Sequence, residues 1–195
     1  DMPQAVYVGH PLLDQVSKYS ERAIVADGKP IIALLPGSRR QELKRNLPLM
    51  AQLANRHPEY HFVVAGMSLI GSGLYEKLIP SGSNIEVVFD RTYDVLASAY
   101  AAVVCSGTAT LETALFNVPQ VVCYRADAIS YIIARSVVSS RIRYISLVNL
   151  IADSNIVTEL IQNDFNYSRL EREFALITTD DANRERMLDQ YADMR

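Results

Sequence analysis

A series of short, predominantly apolar segments constrains the fold of this chain more than any other feature of its sequence. β-branched residues are frequent in them, and most are followed directly by turn residues. Continuous apolar runs of this length indicate strands that are covered on both faces, whereas alternating runs would indicate one solvated face. The pattern therefore predicts a parallel sheet. Its strands are expected at residues 31–35, 61–65, 85–89, 101–105, 120–124 and 144–146.

The segments between these strands show the 3.6-residue spacing of amphipathic helices. They lie at residues 41–56, 93–99, 108–116 and 128–138. Repeated strand–helix–strand units predict a doubly wound, Rossmann-like α/β fold with helices on both faces of the sheet. From residue 154 onward the strand pattern ends. Three C-terminal helices are predicted there, at residues 155–162, 167–177 and 181–194.

Composition limits the class of protein. A chain of 195 residues that is 49% hydrophobic can form one well-packed domain. It has no apolar run of about eighteen residues and no signal-peptide pattern, so we expect a cytoplasmic protein. Cys105 and Cys123 lie in apolar runs, which favours buried reduced thiols over a disulfide or a metal site. A net charge of -3 gives no indication of nucleic-acid binding.

Two glycine-containing turns are the best candidates for a ligand site. Ligands of doubly wound sheets bind beyond the carboxyl ends of the strands, and each turn joins such an end to a helix N-terminus. Free N–H groups and the positive end of the helix dipole suit a phosphate there. The candidate residues are Gly37, Ser38 and Arg39 after the first strand, and Ser106, Gly107 and Thr108 after the fourth.

Ordinary helix capping is an alternative explanation of both turns. Ser38-x-x-Gln41 has the pattern of a capping box, and Ser106 or Thr108 would serve as a simple N-cap. Glu112 is harder to explain structurally, because it lies in the apolar segment ATLETALF and needs polar partners if it is partly buried. The vicinal hydroxyls of a ribose would suit its carboxylate. The planar guanidinium of Arg39 would suit a pyrophosphate.

Several well-known nucleotide and catalytic motifs are absent from the sequence. The glycines of VAGMSLIGSG do not match G-x-G-x-x-G, and there is neither a P-loop nor a G-x-S-x-G nucleophile elbow. There is also no D-x-D pair to hold a divalent metal on a nucleotide diphosphate. We therefore predict no metal and no cofactor, and expect arginine and helix dipoles to balance the phosphate charge.

Taken together, the motifs resemble the C-terminal domain of the lipid-A-disaccharide synthase family. The resemblance covers nearly the whole chain, and VGHPLLD resembles the interdomain crossover of that family. It departs from the family at Val148, where many relatives have proline. The motifs that carry it are LLPGSRRQE at 34–42, SGTATLETALFNVPQVVCYR at 106–125 and ISLVNLIADSNIVTELIQ at 145–162.

The resemblance implies the C-terminal half of a GT-B glycosyltransferase. Members transfer 2,3-diacylglucosamine from UDP to 2,3-diacylglucosamine 1-phosphate with inversion, in lipid A biosynthesis. Gly37, Ser38 and Arg39 would then contact the donor phosphates or sugar, with Arg39 stabilising the leaving group. Residues 106–108 would contact the diphosphate and Glu112 the ribose, and Asn149 would line the same cleft. A turn residue that bonds its own backbone is the alternative for Asn149.

The resemblance also implies a division of the chain and a set of partners. Residues 1–23 would form the interdomain crossover, 24–177 the nucleotide-sugar-binding domain, and 178–195 a truncated C-terminal helix. The general base and most acceptor contacts are expected from an N-terminal domain, so this chain alone should not transfer sugar. Residues 128–147 combine an apolar face with arginines, which suits either a buried crossover helix or a peripheral contact with the cytoplasmic face of the inner membrane.

Two other functions share these sequence features. A UDP-sugar epimerase of the same architecture would also bind a nucleotide through Ser-Gly turns and a ribose-binding glutamate, although the SLVNLIA segment argues against it. A non-catalytic module that binds a nucleotide sugar is the other alternative.

Overall fold

The secondary structure is defined over most of the chain. The computed structural model describes residues 28–125 and 143–194, together with Val16, Tyr19 and Ile24. The strands are β1 (Ile31–Leu35), β2 (His61–Gly66), β3 (Ile85–Phe89), β4 (Ala99–Cys105), β5 (Gln120–Tyr124) and β6 (Thr158–Ile161). The helices are α1 (Arg40–Ala54), α2 (Ser72–Leu78), α3 (Thr92–Ser98), α4 (Thr108–Leu115), α5 (Leu147–Ala152), α6 (Tyr167–Thr178) and α7 (Asp181–Asp193).

All strand pairs in this part of the chain are parallel, and the six strands have the order β3-β2-β1-β4-β5-β6. The chain moves outward from β1 to β3 and then returns to place β4 on the other side of β1. The strand order therefore reverses between β1 and β4. In open α/β sheets this switch point, at the carboxyl ends of the strands, is where ligands bind.

Alternate residues of the central strands enter two separate apolar layers. Ile32 and Leu34 of β1 join a core that includes residues of α1, α6 and α7, whereas Ala33 faces the opposite layer with Val95 and Leu96 of α3. All five residues of β1 are buried. Helices on both faces explain why the strand sequences are apolar throughout, as expected for a doubly wound sheet.

The first five predicted strands are confirmed, with β2 one residue longer and β4 two residues longer than expected. The predicted strand at 144–146 is wrong, because these residues form the approach to α5. The predicted helix at 155–162 is also wrong, since Thr158–Ile161 pairs with β5 as the edge strand β6. Four residues are too few for periodicity to separate a strand from a helical turn, and pairing with β5 decides between them.

The C-terminal helices belong to the same core as the sheet. Met187 and Tyr191 of α7 are buried in the apolar core that also contains residues of α1 and α6, and the Tyr191 hydroxyl accepts a hydrogen bond from the Gln120 side chain at 3.2 Å. The predicted helix at 128–138 and most of the predicted crossover at 1–23 lie outside the described residues. Within 28–125 and 143–194, none of the helices is both long and apolar enough to span a bilayer.

Candidate functional site

A cavity of about 320 Å³ lies at the switch point, between the carboxyl ends of β1 and β4. Its size is at the lower end of the range of small-molecule pockets, roughly 300–1,000 Å³. The structure brings together at this cavity all the predicted site residues except Asn149. Those that line it are Gly37, Ser38, Arg39, Ser106, Gly107, Thr108 and Glu112.

The first turn is held by a carboxylate that the sequence analysis did not single out. The Oε2 atom of Glu42 accepts hydrogen bonds from the backbone N–H groups of Ser38 (2.9 Å) and Arg39 (3.2 Å). The predicted capping box of Ser38 and Gln41 is therefore wrong: Arg39 is the N-cap, and Glu42, one residue later, closes the turn. An acid in the first turn of a helix was the available sequence signal.

Gly37 is required by the geometry of this turn. Its φ is +111°, a conformation that residues with a side chain rarely adopt, and a Cβ atom on Gly37 would lie 2.7 Å from the Cβ of Glu42. The backbone therefore passes close to Glu42, which lines the cavity beside it.

The two adjacent arginines have different surroundings. The side chain of Arg39 is 82% exposed, and its Nη1 lies 3.4 Å from Glu42 Oε1, a contact of little energetic weight in solvent. The Arg40 guanidinium donates a hydrogen bond of 2.8 Å to the carbonyl of Ile70 and so joins α1 to the loop after β2. Arg39 can therefore reach a ligand in the cavity, whereas Arg40 is engaged in the fold.

Ser106 is anchored in the second turn by two hydrogen bonds. Its N–H donates to the Cys123 carbonyl (2.8 Å) and its hydroxyl to the Ile145 carbonyl (3.0 Å). Both of its donors are thus used within the protein. Gly107 and Thr108, which begin α4, are exposed at the cavity and carry the N–H groups at the helix N-terminus.

Glu112 has a tyrosine partner. The Tyr93 hydroxyl donates a hydrogen bond of 3.0 Å to Glu112 Oε1. Burial, followed by the negative charge of Glu112, raises the pKa of Tyr93 to about 12, so this hydroxyl remains a donor at neutral pH. The polar partner expected for Glu112 is therefore a hydroxyl on α3, and the hydrogen bond fixes one carboxylate oxygen beside the cavity.

Asn149 lies away from the cavity wall and is fully buried. Its Oδ1 accepts from the N–H groups of Ile156 (2.9 Å) and Val157 (3.0 Å), while Nδ2 donates to the Val157 carbonyl and to Glu159. The bonds to backbone groups resemble the turn alternative raised for this residue, although they reach the segment before β6 and not the backbone of Asn149 itself.

Asn46 connects the ends of the two central strands behind the cavity. Its Nδ2 donates to the Pro36 carbonyl (2.9 Å) and to Cys105 Sγ (3.2 Å), and the side chain is fully buried. Burial raises the pKa of the Cys105 thiol to about 11, so this cavity-lining sulfur stays protonated at neutral pH. Nothing in the sequence pattern of α1 distinguished Asn46 from a solvated helix residue.

Comparison with known proteins identifies relatives of nearly the whole chain. The family model described as "Lipid-A-disaccharide synthetase" matches residues 3–194. A lipid-A-disaccharide synthase of Syntrophus aciditrophicus is 36% identical, over 97% of this chain and 52% of the relative. The chain spans about half the length of the curated relatives that it matches.

Solved structures share the fold at low sequence identity. A glycosyltransferase involved in lipopolysaccharide biosynthesis superposes with a TM-score of 0.56 at 15% identity, covering 92% of this chain and 46% of that one. A UDP-GlcNAc 2-epimerase from Neisseria meningitidis gives 0.54 at 12% identity, covering 92% and 43%. The fold is thus that of one Rossmann-like half of GT-B proteins.

Proposed function

Because the chain belongs to the lipid-A-disaccharide synthetase family, we propose that it is the donor-binding half of a UDP-sugar-dependent glycosyltransferase. The full-length enzyme would transfer 2,3-diacylglucosamine from UDP to 2,3-diacylglucosamine 1-phosphate with inversion and release UDP. The site in this chain would hold the nucleotide end of the donor.

The arrangement of the cavity at the switch point is the observation that supports this proposal. The N-termini of α1 and α4 both border it, and Arg39 and Glu112 lie on its wall. The α1 end is capped by Glu42, so the exposed Arg39 guanidinium and the α4 end supply the positive charge. Helix N-termini favour anions, whereas a carboxylate favours hydroxyl donors. A ligand that carries a diphosphate next to a ribose matches both ends of such a cavity.

We assign the phosphate contacts to the two turns and the ribose contact to Glu112. The Gly37–Arg39 turn would face the donor phosphates or sugar through the Arg39 guanidinium, because its Ser38 and Arg39 N–H groups are bonded to Glu42. The N–H groups of Gly107 and Thr108 would face the diphosphate. The exposed guanidinium of Arg39 would stabilise the negative charge that develops on the leaving UDP, where a rigid two-pronged donor is effective. Ser106 would act through the shape of its turn, because its own donors are engaged.

The remaining parts of the reaction would come from an N-terminal domain of the full-length protein. Residues 1–23 would connect the two domains, and residues 24–177 with the helix at 178–195 would form the half described here. The partner domain would hold the acylated acceptor and supply the general base. Transfer requires both walls of such a cleft, because the acceptor hydroxyl must be aligned with the anomeric carbon.

A peripheral contact with an anionic membrane surface is part of the same proposal. The segment that suggested it, 128–147, lies largely outside the described residues. Leu69 is 94% exposed at the tip of the loop after β2, and Lys44 and Lys77 line a shallow pocket with its neighbour Ile70. An exposed apolar side chain on a surface that carries lysines suits anionic lipid headgroups.

Vesicle sedimentation tests this contact. More of the protein should sediment with anionic vesicles than with neutral ones, and the double variant Lys44→Glu, Lys77→Glu should remove the difference. Equal sedimentation of the unaltered chain with both kinds of vesicle would contradict the contact.

Titration calorimetry with UDP and ADP tests the nucleotide assignment. The chain should bind UDP more tightly than ADP. Glu112→Ala should weaken UDP binding by about 1.5–3 kcal/mol if the carboxylate makes a charged hydrogen bond to the ribose. Glu185→Ala, at an exposed position on α7, is the matched control and should bind normally. Loss of thermal stability in Glu112→Ala with unchanged UDP affinity would make Glu112 structural and contradict the assignment.

A further inference from the structure

Glu159 of β6 accepts four hydrogen bonds from residues 145–149. Its Oε1 accepts from the Ser146 N–H (2.9 Å), the Ser146 hydroxyl (2.7 Å) and Asn149 Nδ2 (2.9 Å). Its Oε2 accepts from the Ile145 N–H (2.9 Å). One carboxylate therefore holds the approach to α5 in a single conformation.

This segment is connected directly to the cavity. The Ile145 carbonyl accepts the hydrogen bond from the Ser106 hydroxyl at 3.0 Å, and Ser106 is the residue that begins the second turn. The N–H and the C=O of Ile145 thus link Glu159 on one side with Ser106 on the other. Helices α4 and α5, which follow these two residues, also pack against each other.

We propose that Glu159 is a positioning residue for the donor site: it fixes Ile145, and through Ile145 it fixes Ser106 and the N–H groups of Gly107 and Thr108. The proposal rests on the function proposed above. It explains why both hydrogen-bond donors of Ser106 bond to other protein groups. Ser106 would orient the turn, and the backbone N–H groups that follow it would bind the phosphate. It also connects Asn149 with the site through Glu159, without a contact to the ligand.

Glu173 provides a matched comparison. Its carboxylate on α6 is buried and accepts a hydrogen bond of 3.0 Å from Thr158, the residue next to Glu159 in β6, and two from the Arg172 guanidinium. These contacts stabilise the same edge strand. They involve neither the approach to α5 nor Ser106. Replacing Glu173 should therefore change the stability of the fold without changing the donor site.

The test is a double-mutant cycle on UDP affinity, measured by calorimetry on the whole chain. Glu159→Gln replaces one acceptor oxygen by an NH₂ group, which cannot accept the bonds from the backbone of the approach to α5. We expect UDP affinity to fall about tenfold, the effect of one good hydrogen bond. In the Ser106→Ala background the same change should have little further effect, because the link to the turn is already cut. Glu173→Gln should lower the melting temperature and leave UDP affinity unchanged.

The outcomes separate the two proposals. If the unaltered chain does not bind UDP, the proposed function fails and this inference fails with it. If it binds and Glu159→Gln binds equally well, only the positioning role is overturned. Additive effects of Glu159→Gln and Ser106→Ala would also overturn it, since Ser106 would then act on the ligand independently. Should Glu159→Gln not fold, Glu159→Asp completes the same cycle, because it keeps the charge and shortens its reach.

Discussion

Arg39 and Arg40 are neighbours in sequence whose side chains have different tasks. In the full-length enzyme, we expect Arg39→Ala to lower kcat by about 10²–10³, because in the proposed reaction its charge would matter most where charge develops on the diphosphate. Arg39→Lys should restore only part of the rate, since lysine lacks the planar guanidinium that can donate two parallel hydrogen bonds. Arg40→Ala should change stability and leave kcat near normal, as Arg40 bonds to Ile70. Steady-state kinetics measures this, and an Arg39→Ala effect confined to KM would indicate uniform ground-state binding.

Tyr93 gives the site a characteristic dependence on alkaline pH. Its pKa is raised from 10.0 to about 12 in the folded chain, so the folded state holds the proton more tightly than the unfolded state. The resulting stability is fully present below pH 10 and is lost as the pH rises towards about 12.

Tyr93→Phe removes this ionisation. Urea unfolding between pH 9 and about 11.5 should therefore show a shallower loss of stability in Tyr93→Phe than in the unaltered chain. The difference between the two curves isolates Tyr93 from Tyr167, whose pKa is also raised to about 12. Parallel curves would show that Tyr93 does not carry the dependence.

At the scale of elements, the turn between β1 and α1 combines a backbone requirement with a steric one. Gly37→Ala would introduce both an unfavourable φ and a collision with Glu42, whereas Gly82→Ala would introduce only the φ, because nothing lies within 4 Å of its Cβ position. We expect about 1–2 kcal/mol of destabilisation for Gly82→Ala and more for Gly37→Ala. Only Gly37→Ala should also weaken UDP binding. Equal losses of stability, with UDP affinity intact in both variants, would contradict this account of the turn.

The elements also show what the sequence could and could not predict. Strands covered on both faces, such as β1 and β4, carry an unambiguous apolar pattern. The edge strand β6 does not, because Thr158 and Glu159 are only half-buried and Leu160 is its one fully buried residue. Its identity depends on pairing with β5, a long-range interaction that local spacing does not contain.

The candidate site divides in the same way. The turns after β1 and β4 could be predicted to meet, because the carboxyl ends of parallel strands share one edge of a sheet. Tyr93 and Glu159 could not be selected, since each acts through a partner that the fold supplies. Glu42 could have been, because it bonds backbone groups only three and four residues before it. Asn149 was recognised through its motif, and the structure places it behind the wall of the cavity, within the network of Glu159.

At the scale of the whole molecule, we expect this chain to bind UDP and to transfer no sugar. In the proposed function the cavity would face the nucleotide end of the donor, and positioning and proton transfer at the acceptor together contribute many orders of magnitude to the rate. A quenched assay with the diacylated donor and acceptor should show no disaccharide above the uncatalysed background. Adding the separately produced N-terminal domain is the positive control. Robust turnover by this chain alone would overturn the proposed division between two domains.

The position of the cavity between β1 and β4 links ligand binding to the order of folding. Leu35 pairs with Val104, so the two walls are distant along the chain and meet only after a large loop has closed, which is a slow kind of contact to form. A nucleotide would then recognise the chain only after the central strands have joined. Bound nucleotide would stabilise only the completed sheet. It would therefore slow the unfolding reaction and leave the refolding rate unchanged.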